Sequence, residues 1–483
     1  MRRFAAFLAL LATGCSMEPN YVRPDPAVPP SWPAGDAYLV RSEAALPAIT
    51  YRQIFTDVRL QTLIGQALVN NRDLMIAASN IAAARERVTI QRANQLPQLN
   101  AAGGATVSGD NSKDVSGDFQ AGLQVPNFEL DLFGRLRSLT HAQLEQYLAT
   151  EAGARSTRLA LVAEIADAWL AYAADSSSLL VSEQTVSAAQ KSVRLTGLRL
   201  KGGVAARTDL SQATQILTQA QANLARQKTL LAQDVNALQL LVGAPIDPSR
   251  LPASIDQAGP TIAELPAGID SSVLLRRPDV VQAEYELRAA NADIGAARAA
   301  LFPKITLTGL LGFASSALTG LFTGGAFGWS VGANAGYTIF QAGAGHANVR
   351  LTEAQRNAAL ATYQKAIQTA FREVADALAR RATMDEQLSA TERQQAAAAD
   401  VVLLEEERYR AGIDSFLNLL DAQRSYYTVQ LVLVQTKLTA AQNRVDLYQA
   451  LGGDSLLQTA PLCDVRYVSN ANSAKLASQC SPM

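Results

Sequence analysis

The chain has 483 residues, with 42 Lys and Arg against 43 Asp and Glu, and only 6% of it is aromatic. Balanced charge excludes a partner held by bulk electrostatics, such as nucleic acid, and an Ala-rich, aromatic-poor composition favours long helices over a bulky globular core. His141 and His346 have no metal-ligand spacing, and there is no Walker loop or Gly-x-Ser-x-Gly, so no enzyme, cofactor or metal site is expected.

Residues 1–14 read as a signal peptide: Arg2 and Arg3 supply positive charge, Phe4 to Ala12 a short apolar run, and small residues precede Cys15. The run is too short to span a bilayer. Leu11-Ala12-Thr13-Gly14-Cys15 resembles a bacterial lipobox, with Ala12 where Leu is commoner, and this makes Cys15 the expected lipidation site. Two or more acyl chains there would anchor the protein firmly, where one binds only marginally. With Cys15 lipidated, Cys463 and Cys480 remain as an even pair in an oxidising compartment and are expected to form a disulfide in the tail, residues 454–483. Residues 15–50 carry Pro19, Pro24, Pro26, Pro29, Pro30, Pro33 and Pro47, which favours an extended arm because proline fixes φ and removes a donor.

An internal repeat organises the rest. Asp73 and Asp279, like Pro97 and Pro303, stand 206 positions apart, while Glu164-Ile165-Ala166-Asp167-Ala168 returns as Glu373-Val374-Ala375-Asp376-Ala377 at 209. The reading is a first repeat at 51–243, a Pro-bearing linker at 244–271 and a second repeat at 272–453, each a helix, a strand pair and two long helices. Helices are expected to open at Arg72-Asp73 and Arg277-Pro278-Asp279 and to end before Pro97 and Pro303. No Pro occurs from Asn127 to Ala244 or from Lys304 to Ala460. A helix of roughly 60 residues from Ala347 would extend about 90 Å. Tyr427, Leu431, Val434, Leu438, Ala441, Val445 and Tyr448 follow a coiled-coil spacing, and Leu217, Leu224, Leu231 and Leu238 recur every seven.

From Ile305 to Gly345 there is no Asp, Glu, Lys or Arg. Ten glycines and strict alternation oppose a helical hairpin there: Ile305, Leu307, Leu311 and Phe313 share one side, and Trp329, Val331, Ala333 and Ala335 alternate with Ser330, Gly332 and Asn334. Phe119, Ala121, Leu123 and Val125 obey the same rule in the first repeat, and Leu99 to Ser108 more weakly. Segments of about ten residues suit tilted strands in a bilayer. Because open edges are not tolerated in lipid and a closed barrel takes about eight strands, four strands require association of subunits. The competing architecture is a soluble four-stranded sheet on a helical body, which salt alone would release from membranes.

Gly412 marks a hairpin bend after the longest helical stretch, with Asp414, Asn418 and Asp421 just beyond it. A second bend lies at Gly202-Gly203-Val204-Ala205.

Cys15-Ser16-Met17-Glu18-Pro19-Asn20-Tyr21-Val22-Arg23-Pro24, Leu275-Arg276-Arg277-Pro278-Asp279-Val280 and Phe128-Glu129-Leu130-Asp131-Leu132-Phe133-Gly134 stand in an order and spacing that resemble the TolC-like outer membrane factors, in the lipoprotein branch that serves resistance-nodulation-division efflux pumps. The resemblance runs from Met1 to Gly453. It implies a membrane α+β fold: a homotrimer with a twelve-stranded outer-membrane barrel, four strands per chain, continuous with a long periplasmic α-helical barrel. It further implies a passive exit duct engaged by a periplasmic adaptor and an inner-membrane transporter, in the outer membrane of a Gram-negative bacterium. By the same resemblance Asp421, Leu417 and Asn418 are the periplasmic gate, and Asp209 and Tyr409 are closure links between hairpins. Arg410 could take the place of an Arg that some members carry where this chain has Asp414. Gly203, Val204, Ala205, Gly412 and Ile413 are the expected adaptor docking surface. Service to a type I protein secretion system and a lipid-anchored coiled-coil scaffold without a pore are the alternatives, and pore activity separates the scaffold from the duct.

Overall fold

The computed structural model describes residues 16–25, 28–29, 50–109, 115–265 and 271–453. The signal peptide, Cys15, most of the arm and the tail with Cys463 and Cys480 lie outside the described residues. The chain divides into two units, one comprising Met1–Pro26, Ser79–Ala152 and Val281–Ala366, the other Ala27–Ala78, Gly153–Val280 and Ile367–Met483.

The elements follow one order twice. Helix α1 (Val58–Asn70) precedes the series α2 (Arg72–Ala93), β1 (Asn100–Gly109), β2 (Val115–Leu130), α3 (Arg135–Lys201) and α4 (Arg207–Val242), and the series returns as α5 (Pro278–Ala299), β3 (Lys304–Ser315), β4 (Phe327–Gly336), α6 (Ala344–Arg410) and α7 (Phe416–Ala450). The three helices of the first series have 22, 67 and 36 residues and those of the second 22, 67 and 35, so the helix lengths match across the two series almost residue for residue.

Helix starts are fixed by local chemistry. Asn71 accepts the Asp73 and Leu74 amides at 2.8 and 3.2 Å, capping α2. At α5, Pro278 needs no amide partner, and the buried Arg277 beside it pairs with Asp279 and Glu373 at 2.8 Å and donates to the Ala450 carbonyl at 2.8 Å. The second unit's core centres on Trp169, Ile165 and Leu170, all fully buried, with Leu60, Leu63, Ile64 and Ala67 of α1 presented at helical spacing.

The first unit holds a single antiparallel sheet in the order β1-β2-β3-β4, so the central β2–β3 pair joins the two series. Its register puts Ala101, Leu123, Leu311 and Trp329 in one row and Gly103, Ala121, Phe313 and Phe327 in the next. Side chains alternate faces along a strand. Hence the apolar sets of all four strands share one face, and Thr106, Gln120, Gln124, Thr306, Thr308, Ser330 and Asn334 share the other. The charge-free stretch is therefore strand and not helical hairpin, and no helix among the described residues is long and apolar enough to cross a membrane. At the central pair the backbones touch: a Cβ on Gly312 would lie 2.4 Å from the Ala121 carbonyl oxygen and 2.5 Å from the Gly122 Cα. β2 is longer than the alternation predicts, and its register shifts between Val125 and Phe128, at Pro126, which cannot donate to the ladder. Beyond the shift, Glu129 pairs with Arg135 at 2.7 Å and Lys304 at 2.9 Å, and Phe133 stacks on Phe302 at 4.6 Å, closing the strand-to-helix junction.

The residues after Cys15 are held on helices of the first unit. Asn291 donates to the Pro19 carbonyl at 2.8 Å, Arg23 donates to Glu284 at 2.9 Å, and Arg288 lies over the Tyr21 ring at 5.0 Å. Burial would push the Glu284 carboxyl up, yet the Arg23 and Arg288 guanidiniums hold it below the usual carboxylate range. His141, which has no metal-ligand spacing in the sequence, sits between Glu18 at 2.9 Å and Glu145 at 3.2 Å.

Candidate functional site: the paired helix tips

Both bends are built the same way. In the first, the Gly203 amide donates to the Leu200 carbonyl at 3.0 Å and the Val204 amide to Arg199 at 2.9 Å. In the second, Gly412 donates to Tyr409 at 3.1 Å and Ile413 to Arg408 at 2.9 Å. This paired capping needs a left-handed residue, and Gly203 and Gly412 both have φ of 74°. The two glycines are 209 positions apart, the offset of the repeat. The residue after each, Val204 or Ile413, is left exposed at 66% and 67%. Val204, Gly203, Gly412 and Ile413 are thus accessible, and Ala205 partly so.

Helix α7 separates its faces sharply. Phe416, Leu419 and Leu420 turn inward against Tyr409 and Ala213, with Val193, Leu195 and Ile216 around them. Leu417 and Asp421, one turn apart, are exposed on another face together with Asn418. Asn418 donates to Asp414 at 3.2 Å, and the other oxygen of Asp414 pairs with Arg408. Asp414 therefore ties the end of α6 to the start of α7.

The expected closure residues have distinct surroundings. Asp209 accepts the Ala206 amide at 3.4 Å and caps its own helix. Arg410 pairs with Glu406 and with Glu407 at 3.1 Å, both on its own helix. Tyr409 is 4% exposed, its ring meets Phe416 at 5.4 Å, and its hydroxyl has no hydrogen-bond partner among the described residues. What joins the two tips is Arg199, which sequence reasoning passed over. From the end of α3 it donates to the Tyr409 carbonyl at 2.7 Å and lies over the Tyr409 ring at 4.6 Å. A cation on the last carbonyls of a helix also suits the macrodipole. Arg199 is the repeat counterpart of Arg408, 209 positions on, so the offset offered a signal. The two arginines nevertheless do different work: Arg408 closes its own bend, and Arg199 reaches across to the other.

The comparisons fit this geometry. The family model described as outer membrane efflux protein matches residues 63–244 and 270–453. The chain is 41% identical over 463 residues to the probable efflux pump outer membrane protein TtgC of Pseudomonas putida, covering 94% of this chain and 96% of that one. It is 40% identical over 456 residues to the outer membrane protein OprJ of Pseudomonas aeruginosa, covering 93% and 95%. The crystal structure of the open state of the MtrE outer membrane channel of Neisseria gonorrhoeae superposes with a TM-score of 0.80 at 34% identity, covering 91% of this chain and 98% of that one.

Proposed function

The chain belongs to the outer membrane efflux protein family, and from that membership we infer that it is the outer-membrane exit duct of a tripartite pump, conducting small molecules passively from a periplasmic adaptor and inner-membrane transporter to the outside. Members of this family are channels, and the outer membrane is where it works. Three copies would close a twelve-stranded barrel, since β1 and β4 each pair on one side only within the chain and lipid does not tolerate such edges. The observation that carries this reading is the register that collects the alternating apolar residues of the four strands on one face, Leu310 apart.

In the same reading the long helices form a periplasmic barrel produced by duplication of one unit, and the transporter is of the resistance-nodulation-division class. Leu417, Asn418 and Asp421 ring the periplasmic mouth. Three Asp421 carboxylates about one axis would repel each other and recruit a cation, while Asn418 removes charge from the next ring. Tyr409 serves closure through its ring and carbonyl, and the exposed Val204 and Ile413 receive the adaptor. Acylation of Cys15 would anchor the chain, and Cys463 with Cys480 would clip the tail.

Conductance of the purified protein in planar bilayers, read beside heat-modifiable migration on gels, tests the duct. Discrete channels from an assembly that collapses to monomer on boiling are expected. A protein that salt alone releases from membranes and that forms no channel would refute it.

A further inference from the structure

Both strand hairpins turn at the end of the sheet remote from the helices, since every helix connection enters or leaves at the other end. The two turns differ in chemistry. Asp110-Asn111-Ser112-Lys113-Asp114 connects β1 to β2, and it is flanked by the Ser108 and Ser116 hydroxyls in contact at 2.9 Å. Residues 316–326, between β3 and β4, contain no ionisable side chain.

This second connection is folded onto the apolar face. Phe322 meets Phe313 edge-on at 5.5 Å, Phe313 meets Phe327 at 5.5 Å, and Leu321 is buried. Phe313 and Phe327 are paired in the row that belongs to the apolar side. Leu318 and Phe322 remain 64% and 73% exposed, and Trp329 at 75% and Val331 at 72% are exposed on the sheet face that Phe322 meets. An apolar connection placed at this end would be costly if water bathed it, and it would be costly in lipid if its backbone were unpaired. The second cost is reduced: the amides of Gly320, Leu321, Thr323 and Ala326 donate to carbonyls inside the loop, that of Ala317 donates to the Ser315 hydroxyl, and the Thr323 hydroxyl donates to the Gly320 carbonyl at 2.7 Å.

We propose that residues 316–326 are a lipid-docking surface that seats Leu318 and Phe322 among the acyl chains of the outer leaflet, extending the membrane-facing band of the barrel past the ends of its strands. The inference rests on the reading of the strands as membrane-spanning. It assigns the uncharged connection between β3 and β4 the role of gripping the bilayer.

The test uses the full-length chain with Cys463 and Cys480 changed to Ser, and a nitroxide on Leu318→Cys, Val331→Cys or Ser116→Cys, reconstituted in phosphatidylethanolamine and phosphatidylglycerol vesicles. The parent chain treated identically supplies the background. Collisions with oxygen report hydrocarbon, and collisions with a water-soluble nickel chelate report solvent. At 318 oxygen should dominate several-fold, as at 331, with the opposite balance at 116. Nickel dominance at 318 with oxygen dominance at 331 overturns the loop proposal and leaves the barrel intact. Shielding of 318 from both reagents means that a neighbouring copy covers the loop, which also overturns it. Nickel dominance at 331 overturns the membrane-spanning reading itself.

Discussion

Replacing Arg199 by Met keeps most of an unbranched apolar stem and deletes the guanidinium that joins the two tips. Two contacts go with it. The cation over the Tyr409 ring at 4.6 Å is worth about 0.5–2 kcal/mol, and the charged hydrogen bond to the Tyr409 carbonyl at 2.7 Å about 1.5–3 kcal/mol. Arg199 is partly exposed, so the low end of each range applies and the loss is about 2 kcal/mol. At about 1.4 kcal/mol per factor of ten, local opening of the second tip becomes roughly 30-fold more frequent. Hydrogen exchange measures this at Ala411, Gly412 and Ile413, whose amides donate to the carbonyls of Glu407, Tyr409 and Arg408. Arg199→Lys should restore only part of the protection, because an ammonium cannot stack flat on the ring while donating. Tyr409→Phe should change little, since its hydroxyl has no partner among the described residues. Unchanged exchange in Arg199→Met, or a large effect of Tyr409→Phe, would refute the link as described.

Three further outcomes are expected. Asp421→Ala should raise single-channel leak and weaken block by multivalent cations in planar bilayers, with unchanged conductance and block counting against a gate role. Gly312→Val should abolish the heat-modifiable assembly, because its Cβ would overlap the Ala121 carbonyl, whereas Gly328→Val, with open space around it, should be tolerated. Asp167→Asn should stabilise the protein at alkaline pH. Burial, then the charges of Asp446 and Glu164, raise the Asp167 pKa to about 7, so the folded state holds a proton that the unfolded state has released. Stability therefore falls as pH rises from about 4 to about 7, and the gain from Asn should grow across that window to on the order of 4 kcal/mol, then level off, in denaturant midpoints.

The long elements were legible because their signals are local. Pro97 and Pro303 bound helices that end at Ala93 and Ala299, and Gly412 marks the bend where α6 gives way to α7. The strands were found by alternation, with β2 underestimated because Pro126 interrupts the pattern without ending the strand. Helix α1 is not among the expected elements although Asp57 caps it and Leu60, Leu63, Ile64 and Ala67 mark its buried face, because no helix of its length stands at the same place before α5. At the tips, Leu417, Asn418 and Asp421 were located by resemblance, and their common exposure follows from helical spacing. Arg199 escaped for a physical reason. Its partner is 210 positions away, and nothing in the sequence around it distinguishes an arginine that crosses between hairpins from one, like Arg408, that folds back on its own.

In the barrel proposed above, the outer edges of β1 and β4, which have no partner strand among the described residues, also impose an order on events. A lone chain offers lipid an apolar face and two rows of unsatisfied amides and carbonyls, so entering the bilayer singly would cost more than the face returns. If the strands span a membrane as proposed, partner strands must be in place before, or while, the sheet meets hydrocarbon. The sheet edge would then be a checkpoint in time, keeping unassembled chains out of the membrane before a partial barrel could become a hole.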